Sequence, residues 1–217
     1  MQLVQGFNIL SKMDFSRGFN IKYLLVVHGL YQLATLFGIG KISGGGTWAS
    51  LVVLIIALYE QNAFTVSFLA FFSLIIGPLA YKRLMLDQES LADIKSFFMH
   101  WLPYSRFIKE DPKEFVLDEV IGMGIAISGV YIFSTVIDGF SFNILSHYTS
   151  LSDTSNLFIL TFILFRFFDI SKIGPVGWVE RNHKQKAYSR VIGDDIMAAI
   201  LSILIVIIIL SINLWVL

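Results

Sequence analysis

Residues Ile196 to Leu217 form a run of twenty-two residues, rich in Ile, Leu and Val and without a single charge. A helix crossing the hydrocarbon core of a bilayer needs about 20 such residues. Two further stretches meet the same requirement, Phe64 to Tyr81 and Val120 to Ile137. Leu157 to Ile170 is slightly short and ends in charge, and Thr47 to Tyr59 is shorter still, so that it needs tilt, local thinning or burial against its neighbours. The whole chain is 56% hydrophobic and only 15% charged, where soluble domains are about 25% charged. One soluble core of this size cannot hide so much apolar surface. The fold class expected is therefore all-α: a polytopic membrane bundle of about five spans, near 47–60, 64–81, 118–137, 157–171 and 194–217. Residues 1–46 form an N-terminal cytoplasmic or interfacial segment, in which Tyr23 to Gly38 reads as a re-entrant or interfacial helix.

Charge placement gives this bundle a direction. Five alternating spans put the N-terminal segment and the loops 82–117 and 172–193 on one side. All sixteen Lys and Arg fall in or beside those three regions, whereas the opposite loops carry only Glu60, Asp138 and Asp153. Basic loops stay in the cytoplasm. The net charge of zero offers no argument for a nucleic-acid partner. The absence of cysteine excludes disulfides, thiol catalysis and cysteine metal sites. The first twenty residues lack the pattern of a cleavable signal.

The same alternation gathers acids. Asp118 and Glu119 open the third span, Asp169 closes the fourth, and Asp194 and Asp195 open the fifth. Ionisable groups at membrane depth are costly and usually functional. Five carboxylates at one depth repel one another unless a cation sits among them, and a hard oxygen ligand set suits Mg2+. Arg166, Asp169 and Lys172 share one helix stripe. Asp118, Gly122 and Ala126 form a small-residue face that admits a close neighbour. Gly44-Gly45-Gly46-Thr47 leads into the first span, and a glycine-rich turn at a helix start suits a phosphate. Carboxylates for a metal, cations for phosphate and an anion cradle together point to phosphoryl-group chemistry. Plainer roles compete. Asp194 can be a helix cap, Asp169 can be a structural partner of Arg166 or Lys172, those two cations can be interfacial anchors, and the glycines can be a flexible entry. His28, His100, His147 and His183 show no ligand spacing, and Phe97 to Leu102 reads as a segment packed on the membrane surface.

Four segments in order resemble the motifs of the bacterial phosphatidylglycerophosphatase A family. Leu117-Asp118-Glu119-Val120-Ile121-Gly122 is similar to its D-E-[VF]-[IV]-G motif, and Phe165 to Lys172 to its F-R-x-x-D-x-x-K-P motif. Gly193-Asp194-Asp195-Ile196-Met197-Ala198-Ala199 is similar to D-D-[IV]-x-A-G, and Gly46-Thr47-Trp48-Ala49-Ser50 to P-G-T-x-G-S. Trp178 to Asn182 resembles the family's W-x-D-R stretch. The chain departs from the pattern at Gly45 and Ala49, at Ile173-Gly174-Pro175, at Glu180, and in the basic run His183 to Arg190. The resemblance implies a Mg2+-dependent phosphatase of the inner membrane that converts phosphatidylglycerophosphate in the cytoplasmic leaflet to phosphatidylglycerol. It implies metal or catalytic roles for Asp118, Glu119, Asp169, Asp194 and Asp195, and phosphate-binding roles for Thr47, Arg166 and Lys172, with Gly46 beside them. A transporter or ion-binding protein using the acids as a cation or proton site is the alternative. A CDP-alcohol phosphotransferase lacks its D-G-x-x-A-R pattern here. A purely structural membrane subunit leaves five interfacial acids to be explained by caps and ion pairs.

Overall fold

The computed structural model describes residues 21–98, 112–140, 153–181 and 187–216. Every regular element among them is helical. In chain order these are α1 (Ile21–Ala34), a short 3-10 turn (Ile39–Lys41), α2 (Gly45–Glu60), α3 (Phe64–Phe98), α4 (Leu117–Phe140), α5 (Thr154–Ser171), α6 (Pro175–Glu180) and α7 (Ala187–Val216). The first twenty residues, most of the Phe97 to Leu102 segment and most of the loop before α5 lie outside the described residues.

Four of these helices, α3, α4, α5 and α7, are long and apolar enough to cross a membrane. The first expected span, now α2, has sixteen residues and so a length of about 24 Å, less than the roughly 30 Å hydrocarbon core. It is instead buried against α4 and α5 through Ala49, Val53, Leu54 and Ala57. Burial among neighbours is one of the three accommodations a short span requires. The fourteen-residue α1 is shorter again and packs on α3, in keeping with a helix that does not span.

Two helix boundaries differ from those expected. α3 continues to Phe98, well past Tyr81, and α7 begins at Ala187, two turns before Asp194. In both places the apolar run ends but the helix does not. Leu84, Met85, Leu86 and Gln88 are good helix formers, and Arg83 pairs with Asp87 one turn on at 2.6 Å. Hydropathy marked where the membrane ends, not where the hydrogen-bond ladder ends. A consequence bears on the site: Asp194 lies in the third turn of α7 and is no cap.

α4 is the axis of the bundle and packs most extensively on α7 and α3. Its glycines set these distances. A Cβ on Gly122 would lie 2.8 Å from the Phe165 ring and 2.9 Å from Asp195 Cβ, and one on Gly124 would lie 2.7 Å from Ala70 Cβ and 2.9 Å from the Val66 carbonyl. Around them Ile121, Met123, Ala126 and Ile127 are fully buried, with Phe158, Phe165, Ala198 and Ala199 from α5 and α7. A polar contact between α3 and α4 joins Ser67 Oγ and Ser128 Oγ at 2.6 Å. Outward-facing Phe64, Phe68, Phe71, Ile75, Ile163 and Ile208 remain exposed, as a lipid-facing surface requires. The protein is a helical membrane protein.

Gly124→Val would force α3 and α4 apart at a contact far from the acids. A loss of about 1–3 kcal/mol, the usual cost of overpacking, is expected. Thermal unfolding of the detergent-solubilised variant measures it, and unchanged stability would contradict the close approach described.

Candidate metal and phosphate site

Three helix ends meet at one side of the bundle: the starts of α2 and α4 and the end of α5, joined by the third turn of α7. Each brings charge. α4 places Asp118 and Glu119 in its first turn. Asp169 sits one turn from the end of α5. Asp194 and Asp195 come from α7, and Asp118, Asp169, Asp194 and Asp195 are all buried. The five acids of the sequence therefore converge, but they divide into two groups with different partners.

Asp118, Glu119 and Asp195 form the first group. One carboxylate oxygen from each lies within 4.8 Å of the others, a spacing that can hold a metal ion. Glu119 Oε2 and Asp195 Oδ1 are buried and accept no hydrogen bond. Buried acceptors are almost always satisfied, so two orphaned carboxylate oxygens within one such group are the donors a bound cation would use. The donor set is oxygen alone, which matches a hard divalent ion. Gly46 makes room for this group. A Cβ at that position would collide with the Glu119 carboxylate, so a side chain before Thr47 would have to displace the acid packed there.

Asp169 and Asp194 form the second group, bound to cations. Arg166 Nη1 donates to Asp169 Oδ2 at 2.7 Å. Lys172 Nζ donates to Asp169 Oδ1 at 3.2 Å and also to Asp194. The structural pairing open to Asp169 on sequence grounds is thus present. Arg166 is held from its other side as well, with Nη2 donating to Thr47 Oγ1 at 3.0 Å and Nη1 to Ser50 Oγ at 3.4 Å. This links the helix carrying Arg166 to the glycine-rich turn. Ser50, whose hydroxyl also donates to the Gly46 carbonyl at 2.9 Å, was not singled out from sequence. Its spacing of three from Thr47 on one helix face was the available signal.

Lys172 occupies an unusual backbone position. It caps the end of α5 with φ 49°, in the left-handed region that non-glycine residues seldom adopt. Burial alone would lower the pKa of its ammonium, but the charge of Asp194, the hydrogen bond to it, and the charges of Asp169 and Asp195 outweigh that and raise it above the ordinary value. Lys172 is therefore a fixed positive charge at neutral pH, turned back over two carboxylates.

A cavity of about 640 Å3 opens onto both groups. It is lined by the turn from Gly40 to Gly45, by Lys113 to Phe115, and by Asp118, Glu119, Asp169, Lys172, Asp194 and Asp195. Among the sequence-singled residues, Thr47 and Arg166 stand beside this cavity, joined to it through Asp169. Chemically, the arrangement offers an oxygen ligand set for a cation next to two fixed positive charges, as an anionic phosphoryl group requires.

Gly46→Ala is expected to displace the Glu119 carboxylate and weaken divalent-cation binding by about 10–100-fold, on the scale seen when groups supporting metal ligands are lost. Calorimetric titration of the purified variant with Mg2+ or Mn2+ measures this, and an affinity equal to wild type would refute the role given to Gly46.

Comparison with known proteins identifies a family. The family model described as Phosphatidylglycerophosphatase A matches residues 32–210, from the last turn of α1 through nearly all of α7. Neither a curated protein nor a solved structure matches the chain. The matched region contains all five acids, both cations and the glycine-rich turn, so the chain belongs to the phosphatidylglycerophosphatase A family and is a phosphoric monoester hydrolase.

Proposed function

We propose that the protein removes the terminal phosphate of phosphatidylglycerophosphate to give phosphatidylglycerol, using Mg2+, at the cytoplasmic face of a bacterial inner membrane. The observation that carries this reading is the pair of orphaned carboxylate oxygens of Glu119 and Asp195, grouped with Asp118 beside the Arg166–Asp169–Lys172–Asp194 network. Asp118, Glu119 and Asp195 hold the cation. When bound, Mg2+ supplies Lewis-acid polarisation of the phosphoryl group and a lowered pKa for water.

The chain's own residues do the rest. Arg166 and Lys172 offset charge on the phosphoryl oxygens, the planar guanidinium being suited to two oxygens at once. Asp169, which touches both cations, and Asp194, which touches Lys172, position them. Thr47 and Ser50 hold Arg166 from the other side, and Gly46 lets Glu119 approach. The acyl chains stay in the bilayer beside the helices while the headgroup enters the cavity. The basic bias supports the cytoplasmic orientation: Lys41, Lys113 and Lys172 line the same cavity as the acids, at the end of the bundle to which the sequence assigns every Lys and Arg.

Asp195→Asn should reduce phosphate release by more than about a hundredfold, beyond the 10–100-fold usual for outer-shell partners of a metal. Lys172→Met should reduce it by about 10^2–10^3, the range for removing one group that stabilises transition-state charge. The assay is phosphate release by purified protein from phosphatidylglycerophosphate, phosphatidate and a soluble phosphomonoester, with and without Mg2+. Equal turnover of all three by wild type would remove the assigned substrate. Wild-type turnover in Asp195→Asn would remove the assigned site.

A further inference from the structure

The cavity is larger than the chemistry requires. A phosphoryl group and one cation occupy a small part of about 640 Å3, a volume within the roughly 300–1,000 Å3 of pockets that enclose whole small molecules. Its lining holds two further cations. Lys41, on the 3-10 turn, and Lys113, on the turn before α4, both line it, and both are exposed. Neither is one of the cations bound to Asp169 and Asp194.

Packing holds these two turns together. A Cβ on Gly40 would collide with the backbone carbonyl of Glu114, so the residue before Lys41 lies directly on the residue after Lys113. The Val116 N–H donates to the Ala34 carbonyl at 3.1 Å and fixes the start of α4 to the end of α1. Tyr31 completes the link. Its hydroxyl donates to Glu114 Oε2 at 3.2 Å, and the Lys41 ammonium lies 4.8 Å from its ring centroid. Glu114, adjacent to Lys113 in sequence, accepts this hydrogen bond and also lines the cavity. Among the described residues, neither Lys41 nor Lys113 forms an ion pair with a carboxylate. Two ammonium groups thus stand on adjoining turns in the lining of the same cavity that the acids line.

We infer that Lys41 and Lys113 form a second anion subsite, which binds the internal phosphodiester of a two-phosphate lipid while its terminal phosphomonoester lies among the acids. This rests on the reading under Proposed function and adds to it a basis for specificity. Phosphatidate and soluble phosphomonoesters carry no phosphodiester, so they leave this subsite empty. The lysines bind and orient the headgroup, and take no part in bond breaking.

The double variant Lys41→Gln/Lys113→Gln tests the subsite, with Lys41→Arg/Lys113→Arg as the charge-preserving control. Full-length protein in mixed micelles of uncharged detergent is assayed on phosphatidylglycerophosphate for KM and kcat, and for inhibition by two probes. Phosphatidylglycerol carries the phosphodiester alone, and inorganic phosphate mimics the terminal group alone. In the Gln variant KM and the inhibition constant of phosphatidylglycerol should both rise by about tenfold or more, the equivalent of one lost charge-assisted hydrogen bond. The inhibition constant of inorganic phosphate should not follow them, and the Arg variant should restore both values. An unchanged KM, or a parallel rise for both inhibitors, overturns the subsite while leaving the proposed function intact. Failure of wild type to release phosphate from the two-phosphate lipid overturns the proposed function and the subsite with it.

Discussion

Three carboxylates whose oxygens lie within 4.8 Å of one another repel by about 3 kcal/mol or more per pair at an effective dielectric near 20. Three such pairs approach the whole stability of an ordinary fold, about 5–15 kcal/mol. Asp118 and Asp195 are buried, which limits how far water screens that repulsion. A cation held among the three would offset it. Arg166 and Lys172 do not supply it directly, because both are bound to Asp169, and Lys172 to Asp194 as well. The second pair of acids fixes the cations, and the first three stand grouped at a spacing that can hold a metal ion.

Close packing turns this constraint into geometry. Gly46 and Gly122 are the points where a side chain would push Glu119 and Asp195 out of the group. The left-handed cap at Lys172 turns its ammonium back over the bundle instead of outward to solvent. Thr47 and Ser50 tie the start of α2 to Arg166, so the glycine-rich turn is joined to the site by side-chain hydroxyls. The left-handed cap at Lys172 and the close approaches at Gly46, Gly122 and Gly193 fall within the segments that resemble the family's motifs.

Much of this was legible in the sequence because solvation is a local property. The apolar runs of α3, α4 and α7 identified themselves, and the convergence of Asp118, Asp169 and Asp195 followed from alternating them. Helix ends were less legible. The runs from Lys82 to Phe98 and from Ala187 to Gly193 are polar enough to leave the membrane yet remain good helix, and hydropathy does not distinguish those two properties. Ser50 and Glu114 were passed over for a related reason: each acts through a partner distant in sequence, Arg166 and Tyr31 respectively.

By itself, the sequence determined the solvent, the helical class, the family and the inventory of charges, since each depends on composition along the chain or on motifs within it. Only the tertiary structure decided how the charges are shared. Five acids in one-dimensional order are equivalent candidates for a metal. Packing α4 against α5 and α7 brings Asp118, Glu119 and Asp195 to a common point and leaves Asp169 and Asp194 to bind Lys172, with Asp169 also taking Arg166. Distances between helices, here reduced by glycines, are the physical quantity that makes this division, and they do not exist until the helices have packed.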